Sequence, residues 1–168
     1  QHKAMFHKGD YEIIICIKGP IYLKVDQELL MIQPHEVLVI PPFTHFEGFQ
    51  DSLNGTDFYW FHFFSQYKED IIDGDPDQIL QENQSKSGEH QQIVLPLYFK
   101  LEDDRQILVL IHQILSIHDD ISYIDERDYL TTTLLIYLFK AFVSQRHPEI
   151  SSKVNYIKEW IRANITST

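Results

Sequence analysis

The sequence is poor in cysteine, in long apolar runs and in clustered basic residues. Cys16 is the single cysteine among 168 residues, so no disulfide can form within one chain and a reducing compartment is expected. No apolar stretch approaches the roughly 18 to 20 residues that cross a membrane, and no basic segment followed by an apolar block stands at the N-terminus. These absences predict a cytoplasmic protein.

Positive charge is also scarce. The 14 lysines and arginines face 25 acidic residues, which gives a formal charge of -11, and they form no stripe that could neutralise phosphates. We therefore expect no tight DNA binding by this chain. No Ser-His-Asp signature or glycine-rich phosphate loop occurs either, and a thiol such as Cys16 among isoleucines is usually inert packing.

Hydrophobic residues make up 43% of the chain, which is ample for one core. Short segments with β-type patterns end at Gly, Pro or Asp and predict an antiparallel barrel or sandwich. These segments are Tyr11 to Ile17, Ile21 to Val25, Leu29 to Ile32, Val37 to Ile40 and Phe58 to Phe64. Residues 65–92 are polar and predict a surface excursion, and Ile93 to Leu101, interrupted by Pro96, predicts an edge strand.

From Asp103 onward the apolar spacing becomes helical. A second helix is expected from about Asp125 to Arg146, ended by Pro148. Both helices are apolar around more than the stripe of about 100° that a one-sided surface helix needs. Either both faces meet the barrel and the other helix, or one face pairs with a second copy of the chain. The predicted interface of that homodimer is Leu130, Leu134, Tyr137, Leu138 and Ala141.

A third amphipathic helix begins after Ser151 or Ser152, with Val154, Ile157 and Ile161 on one side. Its packing partner is absent. We therefore expect the chain to be a piece of a longer protein.

Two motifs resemble those of the cupins. Glu12 and Gly19 keep the spacing of the end of the first motif, and the second is represented by Pro34-His35-Glu36 and by Pro41-Pro42-Phe43-Thr44-His45-Phe46. The order of parts resembles the AraC/XylS-type transcription regulators, with a cupin, the aromatic strand FYWFHFF, a polar excursion, two helices and then VNYIKEWIRANI. The resemblance covers nearly the whole chain.

This resemblance implies a mainly β fold with α, in which a cupin barrel of the double-stranded β-helix or jelly-roll type precedes a helical dimerisation hairpin. Residues 1–101 would form the effector-binding barrel, 102–148 the helical pair, and 149–168 the start of a truncated helix-turn-helix domain. The implied function is ligand sensing and dimerisation in a sugar-responsive regulator of carbohydrate-use genes. DNA would be bound through the missing C-terminal domain.

Many cupins are enzymes that hold a metal through three histidines and a glutamate. Here Phe46 stands where the last histidine belongs, His45 is one residue early, and His7 is one residue too close to Glu12. A slip of one residue turns a side chain to the opposite face of a strand. We therefore expect no metal, no cofactor and no enzymatic activity. The alternative is a rearranged site of His7, Glu12, His45 or His62 in a metal-dependent isomerase or dioxygenase.

The candidate pocket combines an indole, an acid and an imidazole. Phe58, Trp60 and His62 should share one face of their strand, as should Glu12, Ile14 and Cys16 on theirs. Sugars stack C-H faces on indole, and in the family's arabinose-responsive member a matching tryptophan does so. The full set of predicted ligand-binding residues is Trp60, Glu12, His62, Tyr22, Lys24, Phe46 and His7.

Plainer interpretations stay open for several of these side chains. Trp60 could fill the core, and Glu12 could point to solvent. Tyr22 and Lys24 could lie on the wet side of their sheet. Phe46 and Gly48 replace the histidine and tyrosine that read the sugar in the arabinose-responsive protein, so a different ligand is expected.

Overall fold

The computed structural model describes residues 3–64, 77–78, 81, 93–117 and 124–146. Within these ranges the chain forms a run of strands followed by two helices. The strands are β1 (Met5–Phe6), β2 (Tyr11–Lys18), β3 (Ile21–Val25), β4 (Glu28–Ile32), β5 (Glu36–Ile40), β6 (His45–Gly48), β7 (Asp57–Phe63) and β8 (Tyr98–Lys100). The helices are α1 (Arg105–Ser116) and α2 (Ile124–Arg146).

The strands form two antiparallel four-stranded sheets. The first has the order β1-β6-β3-β4 and the second β7-β2-β5-β8. Their inner faces share one apolar cluster, so the sheets pack face to face as a sandwich. This inner cluster is Ile14, Cys16, Ile21, Leu23, Val25, Ile32, Leu38, Ile40 and Phe46.

Strand β2 is buried on both of its faces. Ile14 and Cys16 point to the first sheet, whereas Ile13 and Ile15 point to the helices that cover the other face of the second sheet. Two-sided burial explains why this segment is a nearly continuous apolar run rather than an alternating one. Each isoleucine buried in this way stabilises the fold by roughly 1.5 to 3 kcal/mol.

Helix α2 packs on the chain's own sheet. Leu134 and Leu138 have no exposed surface and belong to the cluster between the helices and the second sheet. Leu130 and Ala141 are partly buried against the same cluster, and Tyr137 is 36% exposed. The prediction that Leu134 and Leu138 contact a second copy is therefore wrong, because their side chains are enclosed within one chain.

Local backbone geometry positions the strand ends. Asp26 has a φ of 50° in the short turn between β3 and β4, a conformation that Asp tolerates better than most residues. Its carboxylate accepts a hydrogen bond from the backbone N–H of His45 at 3.0 Å. The turn is thereby linked to the start of β6, which lies beside β3.

Several sequence-based expectations can be compared with these elements. The predicted order of strands before helices is confirmed. The strand predicted from Ile93 to Leu101 lies at the edge of its sheet as expected, but only its part β8 (Tyr98–Lys100) is a strand. The short strands β1 and β6 were not predicted. Most of the polar excursion and the whole segment 149–168 lie outside the described residues. In the described part of the chain, neither helix is long and apolar enough to cross a membrane.

Candidate functional site

The pairing of β2 with β7 brings the predicted pocket residues onto one face. Glu12 lies opposite His62, Ile14 opposite Trp60, and Cys16 opposite Phe58. Directly opposed residues of antiparallel strands project to the same side, and Ile14 and Cys16 project between the two sheets. The shared face of these even-numbered residues is thus confirmed, and it is the inner face of the sandwich.

Trp60 is accessible although it lies on this inner face. Its side chain is 55% exposed, whereas Ile14 opposite it is buried. Strand β7 is an edge strand of its sheet, so the inner surface opens to solvent there. The interpretation of Trp60 as a core aromatic is not supported, because a core residue would be enclosed.

Two histidines converge on Glu12. Its carboxylate is completely buried, and Oε2 lies 3.0 Å from Nε2 of His7 and 3.6 Å from Nε2 of His62. The exposed fractions of the two histidine side chains are 14% and 26%. Glu12 does not point to solvent, as one interpretation of the sequence held.

Asp10 lies on the other side of the two imidazole rings. Its Oδ2 is 3.0 Å from Nδ1 of His7 and 2.8 Å from Nδ1 of His62. Burial tends to raise the pKa of the Asp10 carboxyl, but the His62 hydrogen bond, with its own backbone and the two imidazoles, lowers it below its usual value. An ionised carboxylate here can accept a hydrogen bond from each Nδ1–H.

Aromatic rings surround this polar group, which we call the Glu12 cluster (His7, Asp10, Glu12 and His62). The His7 ring stacks on Phe46 with centroids 5.5 Å apart and meets His62 edge-on at 4.3 Å. Trp60 contacts His62 edge-on at 5.3 Å. An exposed indole therefore borders a group of acceptors and donors of which Glu12 is fully buried and the others are partly buried.

One atom of the cluster has no partner. Oε1 of Glu12 is buried and accepts no hydrogen bond from any residue that the structure describes. A buried polar atom left unsatisfied costs about 1 to 3 kcal/mol, and more when it is charged. The arrangement is therefore short of a donor or a cation, which a bound group could supply.

Tyr22 and Lys24 are not brought to this site. Along β3 the buried residues are Ile21, Leu23 and Val25, so Tyr22 and Lys24 project from the opposite face. Lys24 lies 4.0 Å from Glu47, and the Tyr22 ring meets Phe49 with centroids 5.8 Å apart. The structure thus agrees with the alternative interpretation that they occupy the wet side of the sheet.

In the second cupin-like motif, His45 and Phe46 point to opposite faces, as the one-residue offset predicted. His45 is exposed beside Phe6, with ring centroids 4.3 Å apart, whereas Phe46 is 2% exposed and projects inward. The one-residue slip therefore keeps His45 out of the Glu12 cluster.

Asp10 is the one member of the Glu12 cluster that the sequence did not single out. It precedes β2 by one residue, in a segment where an acidic residue reads as an ordinary surface group. The two imidazole partners of Asp10 become visible only in the structure. There β2 and β7 pair Glu12 with His62, and His7 lies beside both. The position of Asp10 two residues before Glu12 was only a weak signal of these contacts, because they depend on the conformation of the turn before β2.

Cys16 lies on the same inner face, in surroundings that disfavour its thiolate. Burial, with the nearby carboxylates of Glu36 and Asp57, raises the pKa of its thiol to about 11. Nucleophilic chemistry needs the thiolate. The interpretation of Cys16 as inert packing agrees with this environment.

Comparisons with known proteins add little to this site. No protein family and no curated protein matches the chain. One similar solved structure is that of the plu4264 protein of Photorhabdus luminescens, with 16% sequence identity and a TM-score of 0.32. The similarity covers 39% of this chain and 54% of that one, and it carries no argument about function.

Proposed function

We propose that this chain is the ligand-sensing and dimerisation part of an AraC-type transcription regulator and that its effector is a sugar. The single observation that carries the ligand-binding part is Trp60, whose indole lies on the inner face of the sandwich yet is 55% exposed. A solvent-facing indole beside buried polar groups suits a molecule with apolar C-H faces and hydroxyls.

The turn geometry supports the cupin part of the proposal. His35 and Phe43 occupy the places of glycine in the second cupin motif, and both have positive φ, 68° and 65° respectively. Residues other than glycine seldom adopt this conformation. The backbone of both turns is thus of the kind that the motif requires, although the glycines themselves have been replaced.

The polar half of the binding site would come from the Glu12 cluster. His62 adjoins both Trp60 and Glu12, so a ring stacked on the indole would have an imidazole and carboxylates at its edge. Hydroxyl groups can donate hydrogen bonds to a carboxylate oxygen and to the lone pair of an imidazole nitrogen. Discrimination between sugars would follow from the loss of about 1 to 3 kcal/mol for each buried group left unpaired.

Dimerisation would use the outer surface of α2, since Leu134 and Leu138 are enclosed. Tyr129, Ile136 and Tyr137 remain 74%, 37% and 36% exposed, and they recur at helical spacing along one side. In this proposal the protein is cytoplasmic and DNA contact belongs to a further domain, because the charge of -11 opposes phosphate binding. Differential affinity of the sugar for two arrangements of the dimer would drive the switch.

A thermal-shift screen of mono- and oligosaccharides tests the proposal. A ligand at 100 times its Kd adds about 2.7 kcal/mol of stability, which corresponds to roughly 5 to 11 °C for a domain of this size. Trp60→Ala should abolish the shift and leave the melting temperature of the free chain nearly unchanged, because the side chain is half exposed. Leu115→Ala, which removes a 65% exposed apolar side chain on α1, is the matched control. Absence of a shift with every sugar would contradict the proposal.

A further inference from the structure

Strand β4 leaves one edge of the first sheet open. It is the last strand in the order β1-β6-β3-β4, and among the described residues no strand pairs with its outer side. Val25 and Glu28 close the two-residue turn between β3 and β4, and hydrogen-bonded pairs recur at every second residue from such a closing pair. The N–H and C=O groups of Leu29 and Met31 therefore point away from β3, toward the open edge.

The same two residues expose apolar side chains. Leu29 and Met31 project from the outer face of the sheet and are 63% and 52% exposed. Natural edge strands are commonly protected by lysine, proline, a bulge or very short length. β4 has five residues without lysine or proline, and its pairing with β3 has no bulge. By comparison, the edge strands β1 and β8 have only two and three residues. An unprotected edge of this kind is suited to pairing with another strand.

The sequence of β4 and its flanking residues matches itself in the antiparallel direction. The residues with the parity of the outer face are, in order, Gln27, Leu29, Met31 and Gln33. In an antiparallel pair of two copies centred on Leu30, each glutamine faces a glutamine, and Leu29 faces Met31 of the second copy. A shift of two residues in either direction would place an apolar side chain against a glutamine. The outer face thus selects both the partner and the register.

Charge also permits this pairing, although the whole chain carries -11. Glu28 is the one charged residue of β4, and in the same register it faces Ile32 of the second copy rather than another carboxylate. Lys24 and Glu47 lie in the row of Leu29 with Nζ and Oε1 4.0 Å apart, so their charges offset each other within one copy. Like charges are therefore not opposed across the new pair, whereas directly opposed like charges would destabilise it.

We propose that β4 pairs antiparallel with β4 of a second copy of the chain about a two-fold axis at Leu30. The two four-stranded sheets would then form one sheet of eight strands. Each pairing of Leu29 with Met31 would exchange both of its N–H···O bonds, and the contact is self-complementary as a two-fold axis requires. It is separate from the α2 surface, because the helices cover the other sheet. One strand per copy is less than a standard interface, so association should need roughly 0.1 to 1 mM chain.

Sedimentation equilibrium of the 168-residue chain, from micromolar concentration to roughly 1 mM, tests this inference. The average mass should rise in the upper part of that range. Leu29→Lys should weaken this association about tenfold or more, because an ammonium group within the pair would lose water. Leu115→Lys is the matched control, since Leu115 is 65% exposed on α1, and it should associate like the parent chain. The proposal is overturned if the mass stays constant, or if both lysine variants associate equally.

Cysteine cross-linking tests the register directly. Leu30 would face Leu30 of the second copy as a non-hydrogen-bonded pair with Cα atoms about 4.5 Å apart, which is within the range of a disulfide. Leu29 is exposed and Leu30 is half-buried, so random collision favours a cross-link at Leu29. With oxidised glutathione as the oxidant, Leu30→Cys should nevertheless form the disulfide-linked dimer faster than Leu29→Cys. Equal or reversed rates would contradict the register. Neither measurement uses a sugar, so its failure leaves the sensing proposal in place.

Discussion

Replacement of Leu134 by alanine tests how the helices are held. Leu134 has no exposed surface and packs between α2 and the second sheet, and a Leu→Ala change at such a site costs about 2 to 5 kcal/mol. Natural domains have about 5 to 15 kcal/mol of total stability, so much of the margin would be lost. At a urea dependence of about 2 kcal/mol/M, the unfolding midpoint should fall by roughly 1 to 2.5 M.

Urea unfolding at several protein concentrations measures this loss and separates two explanations of it. Packing within one chain predicts the same drop in the unfolding free energy at every concentration, whereas a dimer interface at Leu134 makes the drop vary with concentration. Leu115→Ala is the control, since that side chain is 65% exposed and should change stability by no more than about 0.5 kcal/mol. A cost for Leu134→Ala as small as that of the control would refute the packing described here.

Other predictions concern single sites. The Cys16 thiol has a pKa raised to about 11. Its contribution to stability is therefore fully present below the usual pKa of a thiol and is lost as the pH rises from there through about 11. Mass spectrometry should find no alkylation of the folded chain at pH 8. Gly19→Ala should destabilise the fold by about 1 to 3 kcal/mol, because the new Cβ would lie 2.7 Å from Sγ of Cys16. Thermal unfolding should show a smaller cost of Gly19→Ala when Cys16 is also replaced by alanine. An equal cost in both backgrounds would argue against the clash. Phe43→Gly should raise stability by about 1 kcal/mol, seen as a higher melting temperature, since it relieves a positive φ of 65°. Tyr137→Glu should shift sedimentation of the micromolar chain from dimer to monomer, and an unchanged dimer would exclude that face of α2.

Strand phase was the most predictable aspect of the site. Alternation along β7 and the run around Glu12 placed Trp60, His62 and Glu12 on consistent faces, because a side chain's face follows from residue parity alone. The exposure of Trp60 could not be predicted in the same way. It depends on β7 lying at the edge of its sheet, which is a property of strand order rather than of the local sequence.

The apolar pattern of the helices could not decide between the two interpretations left open for them. Apolar residues on several faces of α2 fit either a dimer or packing against a sheet. Apolar burial is favourable whether the covering surface belongs to the same chain or to a second copy. In the structure Leu134 and Leu138 pack against the second sheet. What remains exposed is the side with Tyr129 and Tyr137.

The Glu12 cluster shows a further limit of spacing arguments. Phe46 stands where the motif would place a histidine, whereas the pairing of β7 with β2 brings His62 beside Glu12. Tyr22 and Lys24 illustrate the converse, since their polar character suggested a pocket that their strand face does not reach. Contacts between distant segments decide both cases.

Trp60 fluorescence is the measurement that tests the central claim most directly. The chain has two tryptophans, so in the Trp160→Phe variant only Trp60 emits. A sugar that stabilises this variant against heat should shift or quench its emission with one saturable site per chain, because the sugar covers an indole that is 55% exposed. A sugar that binds and stabilises the chain while the Trp60 emission stays unchanged would contradict the assignment of this inner face as the effector site.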